Sequence, residues 1–208
     1  MTDETFDQSS WDERWSRALQ ASPEKVASRP PSAHLLAEIE DLQPGLALDA
    51  GCGHGAEAIW LATAGWRVTA VDFSATALDF ARSTARAAGA DIADRIDWVV
   101  GDLGTWTPTP AHFDLVSCLY VHVAGSVIDM VRGLGAGVAN GGTLLMVGHQ
   151  PVDPATGAAT PAAGQVQVSV EDAVQALDPD AWHIVVAEER PRAAIGTGVD
   201  AVIRAVRR

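Results

Sequence analysis

The sequence predicts an α/β fold, a doubly wound and mostly parallel sheet, and three observations carry that expectation. Short apolar runs rich in branched residues alternate with segments of helical length. The first run, Leu46-Ala47-Leu48-Asp49, ends in an acid and passes into Gly51-Cys52-Gly53-His54-Gly55. A second run, Trp66 to Val71, stops at another acid, Asp72. Strands joined through helices of this length cross over right-handedly, so that neighbouring strands run parallel.

The elements follow in order. Ser9-Ser10 can cap a helix carrying Trp11, Trp15 and Leu19 four residues apart on one face, ahead of Pro23. Pro30-Pro31-Ser32 opens a second helix running to about Asp41. A strand at Gly45 to Asp49 leads through the glycine turn into a helix at Ala56 to Ala64, which Gly65 ends. Trp66 to Val71 is β-branched and reads as the next strand. Ser74 caps a helix with Leu78 and Phe80 that stops at Gly89, and Ile96 to Val100 is a strand. Thr105 to His112, with Pro108 and Pro110, is a loop. Phe113 to Leu119 is a strand, Val127 to Val138 a helix and Thr143 to Gly148 a strand.

The last third changes character. Pro151 to Gly164 is rich in Ala, Pro, Gly and Thr and reads as a loop or flap. Ser169-Val170-Glu171-Asp172 starts a short helix, and Trp182 to Ala187 and Val199 to Val206 read as strands joined across Gly196-Thr197-Gly198. Such a pair puts an antiparallel edge on the sheet. No linker or repeat divides the chain, so the expectation is a single domain over 1–208: a helical cap at 1–44, a core at 45–149, and a flap with strands at 150–208.

Composition narrows the function classes. At 208 residues the chain can bury a sheet on both faces. Its 27 acidic against 14 basic residues give a net charge of −13, which repels a polyanion, so nucleic acid is a poor partner. No apolar run approaches a membrane span, and the acidic Met1 to Asp7 lacks the basic and apolar regions of a signal peptide, which makes the cytoplasm the expected location. Cys52 and Cys118 make no disulfide framework and are expected to be reduced. The six histidines show no metal-ligand spacing, so no metal is implied.

The glycines select the ligand. Alternating glycines after a buried strand let the backbone turn tightly and approach a ligand closely, and the acid at Asp72 suits a grip on two ribose hydroxyls. A dinucleotide fingerprint would be G-x-G-x-x-G with a pyrophosphate at the helix N-terminus. Here Asp49 precedes Gly51-x-Gly53-x-Gly55, and no Lys or Arg lies near, which suits a nucleoside ligand without phosphates.

On these residues the sequence resembles the class I S-adenosylmethionine-dependent methyltransferases. The resemblance is carried by Asp49-Ala50-Gly51-Cys52-Gly53-His54-Gly55 and Val71-Asp72-Phe73-Ser74. It continues through Val99-Val100-Gly101-Asp102-Leu103, Phe113 to Ser117 and Gly141 to Leu145, so that residues 33–150 are covered. It implies a Rossmann-like, seven-stranded sheet with an antiparallel C-terminal edge strand. It also implies S-adenosylmethionine as cofactor, with S-adenosylhomocysteine as product, and a small-molecule methyl acceptor, the protein acting as monomer or homodimer. Asn140 stands before Gly141-Gly142, where the family more often carries Pro.

By the same resemblance Gly51, Cys52, Gly53 and Gly55 line the methionine part of the cofactor, with Asp49 holding the loop. Asp72 binds ribose, Phe73 packs on adenine, Asp102 accepts the adenine amino group beside Leu103, and Leu119 and Tyr120 lie where the backbone meets the methionine amine. Trp15 belongs to a helix that is either a lid over cofactor and acceptor or ordinary core packing.

A sulfonium is already activated, so aligning the reactants in a water-poor site can supply on the order of 7–11 kcal/mol, and a general base is optional. If the acceptor is a phenol or hydroxyl, a histidine near its ordinary pKa suits that role, and His122 and His149 follow the two strands that end near the expected ligand edge. Two other readings stand beside this one: a cofactor-binding protein without catalysis, and a Rossmann-type NAD(P)-dependent oxidoreductase, which the glycine spacing disfavours.

Overall fold

The computed structural model describes residues 8–122, 125–153, 156–160, 166–191 and 198–208. The chain divides into two compact units, one up to Trp106 and one from Thr107.

The first unit opens with helix α1 (Gln8–Ala21), the short α2 (Pro23–Ala27) and α3 (Ala33–Ile39). Strand β1 (Leu46–Ala50) pairs in parallel with β2 (Arg67–Asp72), Leu48 lying opposite Thr69, and β2 pairs in parallel with β3 (Ile96–Val100). Helix α4 (Ala56–Thr63) connects β1 to β2; α5 (Ala75–Ala88) and a turn of helix, α6 (Ala90–Ala93), connect β2 to β3. Ala47, Leu48 and Ala50 of β1 and Ala70 and Val71 of β2 are fully inaccessible, as are Leu61 of α4 and Leu78 of α5. Strands buried on both faces in this way have near-continuous apolar sequences, which is why they stand out in the chain. Ser74 caps α5 as expected, its hydroxyl accepting the Ala77 amide hydrogen at 3.2 Å.

The second unit holds β4 (Phe113–Leu119), α7 (Val127–Ala136), β5 (Val138–His149), α8 (Val170–Ala176), β6 (Trp182–Pro191) and β7 (Val199–Arg207). Its core is Leu115 and Val116, Leu144 to Val147, and Ala201 to Ile203. The cap of α8 is a reciprocal box: the Ser169 hydroxyl accepts from the Asp172 amide while the Asp172 carboxylate accepts from the Ser169 amide. Strand β5 starts at Val138 rather than Thr143. The Asn140-Gly141-Gly142 turn signal is absorbed as an irregularity in the pairing between Phe113 and Leu115, with Gly141 at φ 79°.

The strand order is β3-β2-β1 in the first unit and β4-β5-β7-β6 in the second. The two C-terminal strands form the expected antiparallel edge of the sheet: β7 is antiparallel to both β5 and β6, and β6 lies outermost. The burial pattern explains the placement, since β7 is buried along almost its whole length whereas β6 has only Trp182 fully covered. Of the expected connection before β7, Gly196 and Thr197 lie outside the described residues, as do 154–155 and 161–164 of the flap.

Candidate active site

In the first unit the loop after β1 is the centre of the site. Gly51, Gly53 and Gly55 sit at φ 80°, 51° and 81°, the left-handed region that a Cβ penalises. The loop is pinned from the neighbouring strand: the amides of Gly51 and Cys52 donate to the Val71 carbonyl at 2.8 and 3.0 Å. Asp72 completes the frame. Its Oδ2 accepts the Gly53 amide hydrogen and its Oδ1 the Ser74 amide hydrogen, both at 2.8 Å. One carboxylate therefore shapes both the glycine loop and the start of α5. Charge-assisted bonds of this kind contribute roughly 1.5–3 kcal/mol each. Burial, reinforced by Asp12, raises the Asp72 pKa against the lowering effect of those two amides.

Helix α1 lies over this loop. Gly53 has no room for a side chain, because a Cβ there would stand 2.8 Å from Trp15 Cζ2. The Trp15 and His54 rings lie 5.4 Å apart, tilted by 36°. One turn before Trp15, the Asp12 carboxylate accepts a short hydrogen bond from the Ser74 hydroxyl. Asp12 and Trp15 are three apart in sequence and share a helix face, so one face of α1 is held at two points beside the loop.

The remaining expected residues of this unit take these places. Asp49 is buried at the end of β1 and Cys52 is buried in the turn, with Phe73 half-buried after Asp72. Burial, then the charges of Asp49 and Asp72, pushes the Cys52 thiol well above its usual range, which keeps it protonated and unsuited to nucleophilic work. The Gly101 amide donates to the Asp72 carbonyl at 3.0 Å, bringing Asp102 beside the end of β2. Asp102 itself is exposed and folds back on its own turn, Oδ1 accepting from the Gly104 amide at 2.8 Å, with Leu103 half-buried beside it. His54, inside the same turn, has a distinctive setting. Burial and the Arg29 charge lower its pKa to about 4, so it is neutral near pH 7. Its Nε2 is buried with no hydrogen-bond partner among the described residues.

This loop fits a nucleoside ligand with an amino-acid tail. The backbone approach is open only to glycine, a buried ring nitrogen lacks a partner, and an acid ends the adjoining strand.

The second unit gathers a different set at the ends of β4 and β5. His149 Nδ1 lies 2.8 Å from Asp200 Oδ1, and Asp200 is 1% exposed. The pairing follows from the register, which sets His149 directly opposite Asp200. The Tyr120 hydroxyl donates to the other oxygen of Asp200 at 3.2 Å, and the Tyr120 and His149 rings are 4.2 Å apart. Tyr120 has φ 60°, a strained backbone for a non-glycine residue, where the chain leaves β4 after the buried Leu119. His122 is engaged from the flap side, Gln167 Nε2 standing 2.9 Å from its Nε2. Both histidines of the expected pair are thus in one cluster, with unlike partners.

Sequence reasoning missed Asp12, Asp200 and Gln167. Asp12 could have been found from its spacing to Trp15, and Asp200 as an acid in an otherwise apolar strand. Gln167 gave no signal. Among the described residues, no group of three His, Cys, Asp or Glu side chains could hold a metal ion, and no helix is long and apolar enough to cross a membrane.

Comparison with known proteins agrees with this frame. The methyltransferase domain family matches residues 47–142, from the first strand through the glycine loop, β4 and α7 into the start of β5. No curated protein shows significant similarity to the sequence. Among solved structures, geranyl diphosphate C-methyltransferase from Streptomyces coelicolor A3(2) is similar over 100% of both chains, with 15% identity and a TM-score of 0.69. That protein was solved with Mg2+, geranyl diphosphate and S-adenosyl-L-homocysteine. An S-adenosylmethionine-dependent methyltransferase from Mesorhizobium loti is similar over 85% of this chain and 99% of its own, at 20% identity and a TM-score of 0.64. The cyclase SpnF is similar over 94% and 96%, at 15% identity and 0.68. Such structural likeness gives the fold alone. The family match adds what the fold alone does not: residues 47–142 match the methyltransferase domain family. The histidine, tyrosine and aspartate at 149, 120 and 200 divide across that boundary, Tyr120 inside the match and the other two beyond it.

Proposed function

We propose that this chain transfers a methyl group from S-adenosylmethionine to an oxygen, nitrogen or sulfur nucleophile on a small molecule, with His149 as general base. Gly51, Cys52, Gly53 and Gly55 would hold the methionine part, with Asp49 and Asp72 fixing the loop and Asp72 reaching ribose. Each Asp72 oxygen accepts one amide hydrogen and retains a second acceptor direction for a hydroxyl. Phe73, Asp102 and Leu103 would border adenine, Leu119 would meet the methionine amine and Trp15 would cover the loop. When bound, S-adenosylmethionine supplies a methyl on a positively charged sulfur, an electrophile that needs no further activation.

The observation that carries the base assignment is the 2.8 Å pair of His149 Nδ1 with buried Asp200. An imidazole that donates Nδ1–H to a carboxylate keeps its Nε2 lone pair for a proton, and the carboxylate stabilises the imidazolium that forms. The pair therefore acts where the acceptor carries an ionisable hydrogen. Tyr120, on the other Asp200 oxygen and against the His149 ring, fixes the orientation of both. His122 is less suited to the same task, because its Nε2 is already engaged by Gln167 at 2.9 Å. The acidic balance of the chain and its want of a basic surplus favour a small acceptor over nucleic acid.

The test is methyl transfer from radiolabelled S-adenosylmethionine to a panel of small phenols, hydroxy acids, amines and thiols. Turnover of a panel member that is lost in His149→Ala supports the reading. Cofactor binding without transfer to any class would favour a protein that binds and does not methylate.

A further inference from the structure

The two histidines of the second unit are expected to be alike by position, at the ends of β4 and β5, yet one amide side chain separates them. Gln167 Oε1 accepts the His149 backbone amide hydrogen at 2.6 Å. A backbone N–H is always a donor, so this bond fixes which end of the Gln167 amide is oxygen. The NH2 end is then the one 2.9 Å from His122 Nε2. That nitrogen must act as acceptor, which places the ring proton on Nδ1. For His149 the order is set by Asp200 on Nδ1, leaving Nε2 as the basic nitrogen.

The segment that bears Gln167 is itself seated on β5. Gln167 is 7% exposed. A Cβ at Gly148 would fall 2.3 Å from the Val168 carbonyl oxygen, and Gln150 Nε2 donates to that same oxygen at 3.2 Å. The amide therefore cannot turn over without giving up the His149 hydrogen bond while its backbone stays packed on Gly148.

We propose that Gln167 is a positioning residue: it holds His122 as the neutral Nδ1–H tautomer and fastens the segment before α8 to the backbone of His149. Protonation of His122 would set an N–H against the NH2 of Gln167, and one of the two bonds would break. Among the described contacts, Asp200 and Tyr120 meet His149 from β7 and β4, and the uncharged Gln167 meets His122. His149 has a carboxylate to stabilise its cation, whereas the partner named for His122 opposes one. The two histidines then have unlike roles. This rests on His149 as the base, yet the tautomer is measured on the protein alone and stands whether or not methyl transfer is found.

The experiment is long-range proton–nitrogen correlation NMR of the imidazole rings in the intact protein, followed through pH, with Gln167→Glu as the variant. A glutamate still accepts from the His149 amide but can only accept from His122. The expected result is a bare Nε2 and protonated Nδ1 at His122 in the native chain. In Gln167→Glu the pattern should reverse, with the His122 titration raised by at least one pH unit. A native His122 protonated on Nε2 overturns the proposal, and so does an unchanged tautomer and titration in the variant. The native spectrum decides even if Gln167→Glu fails to fold.

Discussion

Asp72 takes the Gly53 amide hydrogen on one carboxylate oxygen and the Ser74 amide hydrogen on the other, so a single side chain at the end of β2 shapes the glycine loop and starts α5. The acid whose position suggests ribose recognition is thus a structural brace before any ligand arrives. Removing it should weaken cofactor binding and folding together. In Asp72→Ala two amides lose their acceptor at about 1–3 kcal/mol each. The expected outcome is a lower melting temperature and S-adenosylhomocysteine affinity reduced at least tenfold, about 1.4 kcal/mol. Calorimetric titration beside thermal unfolding checks both; an affinity unchanged in a folded variant would remove Asp72 from the ligand site.

Gly53 and Trp15 are coupled by lack of space. An alanine at 53 would adopt a left-handed backbone at about 1–2 kcal/mol and press on Trp15 Cζ2. Gly53→Ala should therefore be more destabilising in the native background than in Trp15→Ala, where the contact is gone and the backbone cost remains. Urea unfolding of the four proteins in a double-mutant cycle measures the difference. Equal penalties in the two backgrounds would mean that α1 does not bear on the loop in solution.

His54 gives the fold an acid limit. Its folded pKa of about 4 lies below the ordinary 6.5, so the folded state resists its protonation. Its contribution is fully present above pH 6.5 and is lost as pH falls through the interval down to 4. Over that interval the loss approaches about 3 kcal/mol. His54→Gln should flatten the stability curve there while keeping a polar side chain beside Trp15. Parallel curves for the two proteins would contradict the buried, neutral ring.

Asp200 should matter for rate more than for donor binding. Asp200→Asn keeps the shape of the β5–β7 contact while removing the charge that stabilises a His149 cation. On a panel compound that is turned over, kcat is expected to fall by roughly 10²–10⁴-fold, as for loss of general base assistance. S-adenosylhomocysteine affinity should hold. A variant with native kcat and an unaltered pH profile would show that transfer needs no base.

The first unit was legible because its signals are local. Apolar runs buried on both faces mark β1 and β2, and the positive backbone angles at 51, 53 and 55 require the glycines that announce the loop. The second unit was legible as strands and helices but not as a site. Asp200 lies 51 residues beyond His149 and meets it only through the antiparallel register. Gln167 meets His122 across 45 residues, from a segment whose composition says only loop. The order of the two antiparallel C-terminal strands was not legible for a related reason. Two C-terminal strands of similar length can be ordered either way, and the more continuously apolar one, β7, goes inside.

The Gly51 to Gly55 loop, braced by Asp72, is the proposed seat of an S-adenosyl ligand. Isothermal titration of the native protein with S-adenosylhomocysteine, and with NAD as the competing nucleotide, tests it most directly. Saturable one-to-one binding of S-adenosylhomocysteine with none of NAD is the expected result. Binding of NAD with none of S-adenosylhomocysteine would contradict it.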